Sequence, residues 1–142
     1  MKRHVTRTAA ETEALGSALG ATLGPGAVLG LSGVLGAGKT AFVRGLVRGV
    51  GSGARVHSPT FALMNEYPGG RCMVRHMDLY RLGNASAVRG AGLEEHLLRP
   101  DGITVVEWIE RWDEPLPGLR RIRFRWIDEG TREVTYDDLP CT

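Results

Sequence analysis

The residues best suited to chemistry form one string, Gly33-Val34-Leu35-Gly36-Ala37-Gly38-Lys39-Thr40. Its spacing, G-x-x-x-x-G-K-[ST], is that of a loop that holds phosphate. Gly33 and Gly38 carry no Cβ, so the backbone there can take left-handed dihedrals and approach an anion closely. The freed N–H groups and the positive end of a following helix dipole together make a concave anion site. In such a loop Lys39 reaches the β- and γ-phosphates, and the Thr40 hydroxyl ligates Mg²⁺, an ion that takes few protein ligands. The neighbouring segments suit this reading. Val28 to Ser32 is an apolar run that predicts a buried strand, and Phe42, Leu46, Val47 and Val50 recur at helical spacing.

Further chemistry-bearing residues follow. Asp78 closes the strand-like run Val74-Arg75-His76-Met77-Asp78. A carboxylate there, in a chain with a phosphate loop, reads as the Walker B acid of the Mg²⁺ shell; the plainer alternative is a cap for the turn at Leu79 to Leu82. Glu107 closes the β-branched run Ile103 to Val106. It is a candidate to orient or deprotonate an attacking water, to join the metal shell, or to be only an exposed strand-end carboxylate. Trp108 beside it either packs on a nucleotide or belongs to the core. Thr60 sits in the loop Ser58-Pro59-Thr60, where phosphate-loop proteins place a switch residue that senses the γ-phosphate and Mg²⁺. His76 reads as structural, with no second His or Cys at metal spacing. Arg121, Arg123 and Arg125 alternate with apolar residues and read as a solvated face, with tRNA or an acidic protein as the alternative contact.

The elements that must position these residues can be read from the rest of the chain. It has 142 residues, 42% hydrophobic content and a formal net charge of +2. One domain spanning 1–142 is expected, and charge alone calls for no nucleic-acid or membrane partner. Of the 18 basic residues only Lys2 and Lys39 are lysines, which makes Lys39 conspicuous. Two distant cysteines argue for a reduced, cytoplasmic protein without a structural metal, and no signal peptide or membrane span is legible. Val5 marks a first short strand. Thr8 and Glu11 form a capping box that opens a helix to about Leu23, with Leu15, Ala18, Leu19 and Thr22 on one side. Phe61 to Tyr67 and Cys72 to Met77 flank Pro68-Gly69-Gly70 as a hairpin, Val88 to Leu98 is weakly helical, and Glu129-Gly130 turns a second hairpin. The expected fold is a P-loop NTPase-type three-layer α/β/α sandwich, its central sheet mixed and mainly parallel with antiparallel hairpins. Ligands of such sheets lie beyond the carboxyl ends of the strands, where Lys39, Thr40, Asp78 and Glu107 all fall.

Together these segments resemble the TsaE (YjeE-type) family of bacterial ATPases. The resemblance rests on Leu35-Gly36-Ala37-Gly38-Lys39-Thr40, Ser58-Pro59-Thr60-Phe61, His76-Met77-Asp78-Leu79-Tyr80-Arg81-Leu82 and Val105-Val106-Glu107-Trp108, with Asn65-Glu66-Tyr67 and Gly92-Leu93-Glu94-Glu95 in support. It implies slow Mg²⁺-dependent ATP hydrolysis in the machinery that makes threonylcarbamoyladenosine in tRNA. It also implies work alongside TsaD and TsaB, with tRNA met indirectly at most. It assigns ATP or ADP to Gly33, Gly36, Ala37, Gly38, Lys39, Thr40, Ala41 and Trp108. Thr40, Asp78 and Glu107 are implied as metal-shell residues, Thr60 as the switch, and Lys39, Thr60, Asp78 and Glu107 as the residues of hydrolysis. Two positions depart from the family pattern: Val34 replaces the usual Asp, and Ile109 the usual Pro. ATP follows from the resemblance alone, since no N-K-x-D guanine motif occurs. Two other functions share the phosphate loop. A small-molecule kinase would need an acceptor pocket and a lid, for which Gly83 to Gly102 is short. A nucleotide-gated interaction module would hydrolyse only incidentally.

Overall fold

The structure is a computed structural model that describes residues 2–34, 38–59, 62–97 and 99–136. Seven strands form one sheet: β1 (Lys2–Thr6), β2 (Val28–Ser32), β3 (Met64–Tyr67), β4 (Met73–Asp78), β5 (Gly102–Glu107), β6 (Leu119–Asp128) and β7 (Thr131–Tyr136). Their spatial order is β1-β7-β6-β2-β5-β4-β3. The four middle strands run parallel, and each edge is finished by antiparallel pairing. Helices α1 (Ala9–Gly20) and α2 (Lys39–Val50) cover one face of the sheet. Helices α3 (Ala85–Gly90) and α4 (Glu94–Leu97) and a 3-10 turn (Ile109–Arg111) cover part of the other. The expected three-layer sandwich is therefore the fold. Among the described residues no helix is long and apolar enough to cross a membrane.

The two apolar layers follow from strand periodicity. Leu29, Leu31, Val74, Ile103 and Val105 face α1 and α2, while Met77 and Val106 face the other layer. β5 is buried at all six positions, as a strand covered on both faces must be.

Helix α1 ends at Gly20, three residues before the expected Leu23. Its buried stripe is Thr12, Gly16, Leu19 and Gly20, and Ala18 is exposed. The terminus is set from outside: the Arg71 guanidinium donates to the carbonyls of Gly20 at 2.7 Å and Leu23 at 2.8 Å. The Thr8 hydroxyl accepts from the Glu11 N–H, but the Glu11 carboxylate reaches the Arg7 N–H, one residue beyond the cap. The weakly helical stretch resolves into two short helices with Gly92 in a left-handed turn between them. The tail hairpin is also more than a hairpin, because β6 inserts beside β2 in parallel. Arg121, Arg123 and Arg125 are exposed on its far face, and Arg125 pairs with Glu133 at 3.3 Å.

Candidate phosphate-binding and hydrolytic site

The carboxyl ends of β2, β4 and β5 meet at the start of α2. Gly33 leaves β2 with φ 144°, and a Cβ there would stand 2.4 Å from the Phe124 carbonyl oxygen of β6. Gly38 precedes α2 with φ 103° and offers no side-chain cap, and the first turn of α2 holds no acidic residue. Among the described residues no side chain caps the first N–H groups of the helix, and a ligand suited to them is an anion by the sign of the helix dipole.

Lys39 opens the helix and is buried, its Nζ donating to the Gly33 carbonyl at 2.6 Å and lying 4.2 Å from the Trp108 ring centre. Burial pushes its pKa below the usual lysine value, against the opposing field of Glu107, Glu110 and Asp78. A desolvated ammonium beside open N–H groups is a strong phosphate partner.

Asp78 and Glu107 are register partners on neighbouring parallel strands and project on the α2 side. Both are buried. Burial raises the Asp78 carboxyl above the usual range, with the Glu107 charge adding to the shift and the Tyr80 N–H, 2.9 Å from Oδ1, opposing it. Glu107 is held from behind. Its Oε2 lies 2.5 Å from His76 Nε2, His76 Nδ1 lies 3.0 Å from the Tyr67 hydroxyl, and that hydroxyl donates to the His57 carbonyl at 3.0 Å.

After Glu107 the chain turns sharply. Trp108 has φ 58°, uncommon for a bulky residue and costly where it occurs. The turn drops Ile109 onto β2, where a Cβ on Gly30 would stand 2.6 Å from its side chain. It also lays the Trp108 ring over Lys39 and 4.9 Å from the Tyr80 ring. Beside the loop, Thr8, Thr12, Gly38, Ala41, Glu129 and Arg132 line a cleft of about 380 Å³.

Of the residues singled out from sequence, Gly33, Gly38, Lys39, Thr40, Ala41, Asp78, Glu107 and Trp108 converge here. Gly36, Ala37 and Thr60 lie outside the described residues. Sequence reading missed the engagement of His76 with Glu107. It had the signal in hand, since His76 shares the Asp78 face of β4 and pairing with β5 brings Glu107 within reach. Arg132, whose Cγ would lie 3.9 Å from a Cβ on Gly38, is far from the loop in sequence and left no local signal.

Known proteins resemble this chain along nearly its whole length. The family model described as "Threonylcarbamoyl adenosine biosynthesis protein TsaE" matches residues 6–134. The chain belongs to the TsaE family. The tRNA threonylcarbamoyladenosine biosynthesis protein TsaE of Treponema pallidum (strain Nichols) is 40% identical over 94% of this chain and 98% of its own length. The protein of that name from Bacillus subtilis (strain 168) is 39% identical over 89% and 78%. The crystal structure of Bacillus subtilis YdiB superposes with a TM-score of 0.80 at 33% identity, covering 95% of this chain and 83% of that one. The two departures from the TsaE pattern differ in setting: Val34 is exposed beside the loop, whereas Ile109 is fully buried.

Proposed function

We propose that this TsaE-family chain binds Mg-ATP and hydrolyses it slowly, as a cytoplasmic accessory of tRNA threonylcarbamoyladenosine synthesis. It acts with TsaD and TsaB and meets tRNA only through them; residues 1–142 form its one ATPase domain. The observation that carries the reading is the convergence of Lys39, Asp78 and Glu107 at an uncapped helix start, in a chain 40% identical to a protein named for that pathway.

The residues fit the groups the reading requires. Open N–H groups, left-handed Gly38 and buried Lys39 suit phosphate oxygens. The cleft beside Gly38 and Ala41 suits the nucleoside end. Among the described residues no group of three or more His, Cys, Asp or Glu side chains is arranged to hold a metal alone. That suits Mg²⁺, which is held by one or two protein groups plus phosphates and water. Thr40 and Asp78 would hold the ion, which when bound supplies positive charge at the phosphates. Lys39 neutralises phosphate charge, Trp108 covers the Lys39 ammonium against water, and Glu107 orients the attacking water. Thr60 acts as the γ-phosphate switch.

Phosphate release from Mg-ATP tests the reading, measured for the chain alone and with the TsaD–TsaB pair. Slow release that changes on adding the pair is expected; release indifferent to the pair would overturn the accessory role. Glu107→Gln should lower release by about 100-fold with nucleotide affinity within about twofold, the pattern of a lost transition-state contact. Asp78→Asn should leave Mg²⁺-free nucleotide binding intact and remove Mg²⁺-dependent hydrolysis. Unchanged hydrolysis in Asp78→Asn would reduce Asp78 to a turn cap for Tyr80.

A further inference from the structure

Glu107 is buried, and among the described residues its carboxylate is held by the ring of His76, which is itself fully buried. Burial makes this more than a contact. A buried carboxylate without a donor costs the desolvation of a charge, so the position of the donor decides where the carboxylate rests. The donor is in turn oriented. His76 Nδ1 is 3.0 Å from the Tyr67 hydroxyl, which is nearly inaccessible to solvent. With Nε2–H donating to Glu107, a neutral imidazole presents Nδ1 as an acceptor that competes with the His57 carbonyl for the single Tyr67 proton. The Tyr67 hydroxyl also faces the His57 carbonyl at 3.0 Å, and Asn65 Nδ2 donates to that same carbonyl at 3.1 Å. Tyr67 has one proton and two acceptors. Its orientation therefore links the backbone of the 53–59 loop to the ring that holds Glu107.

We propose that Tyr67 and His76 are positioning residues of hydrolysis: they orient Glu107 and tie that orientation to the backbone at His57. His76 meets Glu107 directly, and Tyr67 meets it only through His76. The inference rests on the reading of Glu107 as the group that orients the attacking water.

Four variants and two readouts test it. His76→Leu should lower kcat for Mg-ATP hydrolysis by about 10- to 100-fold, the loss typical when the partner that orients a working side chain is removed. KM and nucleotide affinity should stay within about twofold. His76→Gln, whose amide nitrogen can take the Nε2 place, should recover most of the rate. Tyr67→Phe should lose about fivefold, the worth of one net hydrogen bond. In a Glu107→Gln background, His76→Leu should add little further loss, because His76 acts only through Glu107. A second readout is independent of hydrolysis. In the nucleotide-free protein, the His76 imidazole N–H proton should resonate downfield by NMR. It should move upfield in Glu107→Gln and shift in Tyr67→Phe.

Equal losses in His76→Leu and His76→Gln, accompanied by lower melting points and raised KM, would overturn the proposal in favour of a packing role. So would an imidazole resonance indifferent to Glu107→Gln. The two failures are separable. If Glu107→Gln itself hydrolyses normally, the role of Glu107 fails. If Glu107→Gln is slow while His76→Leu is normal, only the positioning inference fails.

Discussion

Lys39→Ala should abolish measurable ATP binding. Lys39 is 5% exposed, and its ammonium is fixed between the Gly33 carbonyl and the Trp108 ring. Truncating one member of a buried, hydrogen-bonded charge pair costs about 2–5 kcal/mol, roughly 30- to several-thousand-fold in affinity. The upper part of that range applies, because the substitution also leaves Glu107 and Asp78 facing the phosphates with no cation between. Isothermal titration with ATP measures it, and retained affinity would sink the phosphate-loop assignment. Stability should move the other way. Burial lowers the Lys39 pKa, so over the window between its folded and unfolded values the unfolded chain binds more protons. Charged Lys39 therefore costs stability at neutral pH, and the cost fades only as pH rises through that window. Lys39→Met, which keeps the aliphatic stem, should melt no lower than the parent while failing to bind nucleotide. Such a pair of results would mark Lys39 as a residue kept for its ligand at some expense to the fold.

Much of the site was legible because its signals are local. A glycine loop between an apolar run and an amphipathic helix needs no knowledge of the remaining chain, and the carboxylates that end β4 and β5 announce themselves by ending apolar strands. Parallel pairing then puts Asp78 opposite Glu107, which the sequence pattern implied only through the fold class. What escaped the sequence was set by distant partners. The end of α1 is fixed by Arg71, some fifty positions on. The place of β6 between β2 and β7 depends on a parallel pairing across the whole chain. Trp108 carries no sequence sign of its left-handed backbone, yet that turn is what places its ring over Lys39. Gly16, Gly20, Gly45 and Gly49 give no local sign of their role, yet each sits where the two helix backbones touch.

That seam yields the second large effect. A Cβ at Gly45 would stand 1.9 Å from the Glu13 carbonyl oxygen, and one at Gly49 would stand 2.2 Å from that of Ser17. The contact is reciprocal: a Cβ on Gly16 would stand 2.1 Å from the Phe42 carbonyl oxygen, and one on Gly20 would stand 2.4 Å from that of Leu46. The obstructing atoms are backbone, so no rotamer change relieves the overlap and the helices must separate. In an open helix Gly→Ala gains about 1 kcal/mol. Here forced separation of a packed core wins, at about 3 kcal/mol net, near the upper end for overpacking. Gly45→Ala should therefore lower the melting midpoint by about 10 °C, at roughly 3 °C per kcal/mol for a chain of this size. Gly90→Ala is the matched control: Gly90 closes α3 with nothing within 4 Å of its would-be Cβ, so its midpoint should hold or rise. The same displacement should reach the ligand, because α2 begins with Lys39 and Thr40 and moves as a rod. ATP affinity should fall with stability in Gly45→Ala and stay unchanged in Gly90→Ala. A Gly45→Ala protein that melts with the parent would mean that α1 and α2 do not stand this close, and the placement of Lys39 would then need another support.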